Sequence, residues 1–337
     1  MNELVTIGIP TYNRLHYLKE AVASALAQTY PNIEVLISQN PHKDESITQS
    51  ISTWCQEIAS QNPKVRHQLN SRNNGSPANF NAIADAAWGE YIAFIGDDDR
   101  LLPNFVEKLV NIIPSDASLA FCNHYLIDSV GRRMEKESYQ CTQKYYRDHL
   151  PAGEVSTPRV AAWQSSLPFE ASLIRTKDFQ RLRFKEQIGA ADTEFFIRIA
   201  EKGGRFFFLP DYLSEVRIHE QRSTAAGLQI ETLVAHLLPV NVSPEIEVHK
   251  RELLSRFITG AVTNCLLTGD IEKAKEYMSS GYYLQKGFKG RIQKSCTRIP
   301  KPFGYYLYKI MYMSKKYQSY LKKQNAKDYG NIPEQQT

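Results

Sequence analysis

The sequence predicts an α/β fold: a doubly wound, mostly parallel sheet over the first two thirds of the chain, followed by a helical C-terminal region. Three observations carry this. Apolar runs alternate with amphipathic helical stretches through the first 113 residues, the pattern of parallel strands joined by crossover helices. Three adjacent aspartates, Asp97, Asp98 and Asp99, directly follow one of the apolar runs, at the carboxyl end of a strand where open α/β sheets bind ligands. Beyond about Gly227 nothing strand-like recurs, which sets the expected units at 1–226 and 227–337.

Leu4 to Ile9 reads as the first strand, and Pro10 to Arg14 (PTYNR) as the turn after it. Leu15, Leu18, Val22, Ala25 and Leu26 fall at helical spacing and predict an amphipathic helix on the sheet. Ile33 to Ser38 is the second strand, which completes a right-handed βαβ unit. A helix over 46–59, a strand over 65–69 and a helix over 77–87, stopped at Gly89, repeat the pattern. Tyr91 to Ile95 is the strand that delivers the aspartates, and Pro103 to Ile113 the next helix. Strands are expected over 119–127, 169–175, 205–210 and 213–218, with a helix at Asp192–Lys202 and an irregular excursion over 131–158.

Composition describes a globular protein, 42% hydrophobic and 23% charged. No run of 18 apolar residues predicts a membrane span, and MNELVTIGIP lacks signal-peptide character, so a cytoplasmic address is expected. The five cysteines are odd in number and irregularly spaced, which points to reduced thiols rather than disulfides or zinc. The net charge of +5 conceals an asymmetry, because residues 277–327 hold twelve Lys or Arg and no acid, leaving the rest near −7. Eleven aromatics are interleaved with those cations. That mixture suits a helix on an anionic membrane surface, on the inner face of the cytoplasmic membrane. Nucleic acid, a solvated tail and a dimer interface built from the tyrosines are the alternatives.

Three adjacent carboxylates repel one another, and a divalent cation with hard oxygen ligands, Mg²⁺ or Mn²⁺, relieves that repulsion. The chemistry implied is metal-assisted handling of a phosphate. Acids starting the next helix would explain one aspartate but not three.

Five landmarks in order, TIGIPTYNR, QTYPNIEVLIS, NNGSPANFNAIADAAWGEYIAFIGDDD, DTEFFIRIAEKG and VRIHEQRS, resemble glycosyltransferase family 2 over residues 3–224. The resemblance implies the GT-A fold and inverting transfer from a nucleotide diphosphate sugar donor to a saccharide or lipid-linked acceptor, in surface polysaccharide, lipopolysaccharide or glycolipid synthesis. By resemblance Asp97 and Asp99 match the DXD motif, with Asp99 on the metal, Asp97 on the metal or ribose, and Asp98 facing the donor. His219 matches a late motif that completes the metal shell. Asp192 matches the catalytic base that takes the acceptor proton, with Glu194 as fallback; Ala191 stands where the family has a second acid. A helix N-cap is the competing role for Asp192. Arg198 is expected to make an ion pair within its helix. Pro10, Thr11, Tyr12 and Arg14 match the nucleotide cradle, and Asn79 a position near the donor. After the second strand the family carries an acid that reads the base, whereas this chain has Gln39 and Asn40, which leaves the base undetermined. A nucleotidyltransferase is disfavoured because PTYNR has no glycine. The alternative from another class is a degenerate GT-A-like binding protein acting through its basic tail, against which the three aspartates stand.

Overall fold

The computed structural model describes residues 3–219, 229–284, 287–299 and 303–313, with side chains of 287–289 left aside. By internal contacts the chain divides into two compact units, Met1–Leu228 with Asn241–Lys250, and Gln229–Val240 with Arg251–Thr337.

The first unit is built on a nine-stranded sheet: β1 (Val5–Thr11), β2 (Ile33–Gln39), β3 (Val65–Leu69), β4 (Tyr91–Phe94), β5 (Arg100–Leu101), β6 (Leu119–Ile127), β7 (Gly153–Glu154), β8 (Ser172–Arg175) and β9 (Phe206–Arg217). Its order is β3-β2-β1-β4-β8-β6-β9-β5, with β7 on β9. β1 pairs in parallel with β2 and β4, and β2 with β3, while β8 runs antiparallel between β4 and β6. Strands β1, β2 and β4 are buried on both faces, which is why they read as continuous apolar runs.

Helices α1 (Leu15–Leu26), α2 (Glu45–Gln61), α3 (Ser76–Ala86), α4 (Phe105–Ile112), α5 (Glu135–Lys144), α6 (Pro158–Trp163), α7 (Thr176–Leu182) and α8 (Ala191–Glu201) complete this unit's main helical frame. One sheet face, through Ile7, Ile9, Val35, Ile37, Ala93 and Ile95, packs with Leu18, Val22, Ile51 and Leu109 of α1, α2 and α4. The period of two turns alternate residues to the other face. There Phe94 stacks on Phe169 at 5.1 Å and meets Phe80 of α3 and Phe179 of α7, and the cluster extends through Phe184 to Phe195 and Phe196 of α8. Gly8 is required for this close packing, since a side chain there would collide with Ile83 of α3.

Two sequence expectations differ from the structure. The strands expected over 205–210 and 213–218 are one strand, β9, whose pairing to β6 shifts register around Asn123 and so absorbs Pro210 and Asp211. The stretch 131–158 is not wholly irregular: α5 forms on a polar sequence, with Ser138 and Thr142 buried at i, i+4.

The second unit is helical, with α9 (Ile230–Leu237), α10 (Pro244–Thr268, from Arg251), α11 (Ile271–Ser279), α12 (Gly287–Arg298) and a helix over 303–313. Val234, Ile258, Val262, Leu266, Ile271, Tyr277 and Tyr308 form its core. At the end of α10, Gly269 adopts φ +81° and the Asp270 amide donates to the Cys265 carbonyl, a Schellman stop. The Asp270 carboxylate then accepts from the Lys273 amide to start α11. Among the described residues no helix is long and apolar enough to cross a membrane.

Candidate active site

The aspartates occupy a tight turn between β4 and β5, closed by the Asp99 amide donating to the Gly96 carbonyl at 3.1 Å. Gly96 is needed here: a Cβ would lie 2.6 Å from Asp98 Oδ1 and 2.8 Å from Asp99 Oδ2. Two carboxylate oxygens therefore sit together over the glycine. The turn is held from outside by β9, since β5 pairs with it and the buried Arg217 reaches back. The Arg217 amide donates to Asp99 Oδ1 at 2.9 Å and its Nε to the Asp98 carbonyl at 2.8 Å, while Nη2 meets Glu20 of α1 at 2.6 Å.

Arg14, at the end of the first loop, bridges two aspartates, pairing with Asp97 Oδ1 and, at 2.6 Å, with Asp98 Oδ2. Thr11 Oγ1 donates to Asp97 Oδ2 at 2.8 Å. His219 Nε2 lies 2.7 Å from Asp98 Oδ2, so the histidine meets Asp98 rather than Asp97 or Asp99. Burial raises the Asp97 pKa; Arg14 opposes this and Asp98 adds to it, for a value of about 6. Asp99 is also raised, by burial first and then by Asp98 and Glu170. Among the described residues no three His, Cys or acidic side chains form a preformed cation cage.

Asp192 is the second residue of α8. It is not the cap, because Ala190 holds that position with no side-chain bond and with φ +53°, in the left-handed region. Burial raises its pKa, while the helix amides of Asp192 and Thr193 pull the other way. Glu194 is an unsuitable base: burial works to raise it, but Arg198 at 2.6 Å and Lys185 at 3.0 Å outweigh burial and hold it below the usual range.

The structure adds an acid that motif reading missed. Glu170 lies in the short 3₁₀ turn Phe169–Ala171 leading into β8. Because Leu173 pairs with Ala93, the antiparallel register carries Glu170 to the level of the aspartate turn. Burial first, then the charges of Asp192 and Asp98, push Glu170 up to about 7. The signal was available in the sequence: an acid inside the apolar run Leu167–Ile174 (LPFEASLI) has a reason to be there.

The positions expected at the nucleotide divide. Tyr12 stays half-exposed, its ring 4.8 Å from that of His42 beyond β2. Gln39 is fully buried and taken up by the fold, donating to the Thr48 carbonyl at 2.8 Å and accepting from Ser52 Oγ at 2.8 Å, with His67 Nε2 at 3.0 Å. Asn40 and Asn79 belong to an amide network through Asn70, whose Nδ2 lies 2.9 Å from Asn40 Oδ1 and 3.1 Å from Asn79 Oδ1. Pro10 is a strand residue within β1.

The sequence profile described as Glycosyl transferase family 2 matches residues 6–166, so the resemblance read from the landmarks is borne out there. An uncharacterised glycosyltransferase of Rickettsia felis is 34% identical over 131 residues, which are 38% of this chain and 21% of that relative. The chain thus spans about a fifth of that relative's length. Among solved structures, S. aureus TarS 1-349 in complex with UDP-GlcNAc superimposes with TM-score 0.62 at 16% identity, covering 92% of each chain. The mannosyltransferase PcManGT from Pyrobaculum calidifontis, in complex with GDP-Man and Mn2+, gives TM-score 0.54 at 16% identity, covering 87% of this chain and 84% of that one. The fold shared with them is GT-A.

Proposed function

We propose, from the premise that residues 6–166 match glycosyltransferase family 2, that this chain transfers a sugar from a nucleoside diphosphate sugar to an acceptor hydroxyl with inversion. The observation that carries the reading is one cluster of acids in which Asp98 and Asp99, held by Arg14, His219 and Arg217, lie within electrostatic reach of Glu170, and Glu170 within reach of Asp192.

The residues suit a divalent cation. Asp98 Oδ1 and Asp99 Oδ2 offer two hard oxygens side by side, and His219 is the neighbouring imidazole. A cation that keeps water and substrate phosphate in most of its shell needs only one or two protein carboxylates. When bound, such an ion neutralises charge on the leaving diphosphate. Arg14 is positioned to turn part of its guanidinium from the aspartates to a phosphate oxygen, a bidentate partner of the same shape. Tyr12 and His42 offer ring faces at the ends of β1 and β2 where a base can stack.

The chain's own chemistry is proton transfer and alignment. Asp192 takes the acceptor hydroxyl proton as that oxygen bonds to the anomeric carbon, and the bond to the diphosphate breaks on the opposite face. Its raised pKa suits a base that must hold the proton it receives. Glu170, protonated at neutral pH in part, is placed to hold the acceptor hydroxyl against Asp192. Surface polysaccharide, lipopolysaccharide or glycolipid synthesis is the setting we favour. The test is calorimetric titration with UDP, GDP, CDP and dTDP, each with Mn²⁺ and with chelator. Chelator-sensitive binding of one diphosphate supports the reading; cation-independent binding, or none, overturns it.

A further inference from the structure

The helix over 303–313 has two apolar faces. On one, Gly304 and Tyr308 are buried, Tyr308 in the core of the helical unit. Gly304 lies so close to α12 that any side chain would collide with the Cys296 carbonyl. On the opposite face Phe303, Tyr306, Leu307, Ile310 and Met313 recur at helical spacing, and each is between 41% and 70% exposed. A soluble helix places one apolar stripe on its core and leaves the other side polar. A second, contiguous apolar stripe marks an interaction surface.

Charge identifies what this surface fits. On α12 the side away from the core carries Arg291 and Arg298 with Lys294 between them, at i, i+3 and i+7. Across 277–327 twelve cations face no acid in the sequence. We infer that these two helices form a docking surface for an anionic lipid bilayer. The apolar stripe enters the boundary between headgroups and acyl chains, while the α12 cations meet lipid phosphates. A second copy fits poorly, because two such faces would bring like charges together. Nucleic acid would match the cations but leave the apolar stripe in water. The inference is independent of the transfer chemistry.

The test is flotation of the full chain with phosphatidylcholine vesicles and with vesicles containing phosphatidylglycerol. The chain is expected to float with the anionic vesicles only, and to be released at about 1 M salt, where the Debye length falls to about 3 Å. Ile310→Asp, at an exposed position that leaves the core intact, is expected to lower the bound fraction about tenfold. Arg291→Glu with Arg298→Glu should lower it by a similar factor. Absence from the anionic fraction, or equal flotation with both vesicles, overturns the inference. So does sedimentation showing a dimer that Ile310→Asp dissociates.

Discussion

The two parts of this cluster of acids are furnished differently. On the aspartate side every carboxylate has a protein partner: Arg14 and Thr11 on Asp97, Arg14 and His219 on Asp98, and the Arg217 amide on Asp99. In the other part Glu170 and Asp192 make no ion pair among the described residues: Glu170 is met by its own amide and Asp192 by its own amide and that of Thr193, and burial raises both. Braced charges are what a site needs to hold a diphosphate without reorganising. Desolvated acids that no cation neutralises are what proton transfer needs. Under the proposed function this difference divides donor binding from proton transfer.

The sharpest way to break this comparison is Asp192→Asn. It is expected to lower kcat about 10³-fold while nucleoside diphosphate affinity, read by calorimetry, is unchanged. Unaltered turnover would remove Asp192 from the chemistry. On the braced side the split should reverse. Asp98→Asn and Asp99→Asn are each expected to weaken Mn²⁺-dependent diphosphate binding by about 10²-fold, and a loss confined to kcat would erase the distinction. Arg217→Ala removes the Nε bond to the Asp98 carbonyl, keeps the backbone amide on Asp99, and takes from Glu20 the nearer of two guanidinium partners, Arg100 remaining at 3.5 Å. It should lower unfolding stability by about 2 kcal/mol in denaturant titration, with Arg217→Lys partly restoring it.

Two smaller effects sharpen the picture. With Glu170 at about 7, kcat/KM is expected to show an inflection near neutral pH that Glu170→Gln abolishes. Persistence of the inflection would place its origin elsewhere. Asp97 affects stability in the direction opposite to a paired surface acid. Its folded pKa of about 6 lies above the unfolded value, so its contribution is present below about pH 4 and is lost as pH rises through the folded value. In chelator, Tm of the wild type should therefore fall across that window relative to Asp97→Asn, and Mn²⁺ should reverse the fall. Parallel Tm curves would contradict it.

The frame of this arrangement was legible in the chain. Continuous apolar runs gave the parallel strands because those strands are buried on both faces, and three adjacent acids could not be an ordinary helix start. What escaped reading was direction. Gln39 ends a strand that aims alternate side chains to opposite faces, and one residue of register decides whether an amide meets a ligand or α2. Glu170 escaped because its neighbour in space, the aspartate turn, is brought alongside only by the antiparallel pairing of β8. Helix α5 escaped because its stability comes from buried Ser138 and Thr142 rather than from an apolar stripe. The long strand β9 looked like two because Pro210 and Asp211 interrupt its pattern without interrupting its path.

The left-handed Ala190 bears on how this protein can change. A side chain in that conformation costs about 1 kcal/mol, and Ala190 sets against it its carbonyl, which accepts from the Thr193 and Glu194 amides, but no side-chain bond. Helix α8 is also fixed from its far side, where Phe195 and Phe196 lock into the phenylalanine cluster. The carboxylate at its start is therefore aimed by aromatic packing together with the Ala190 carbonyl that begins the helix. A substitution inside the phenylalanine cluster would therefore be felt at Asp192 as well as in the core.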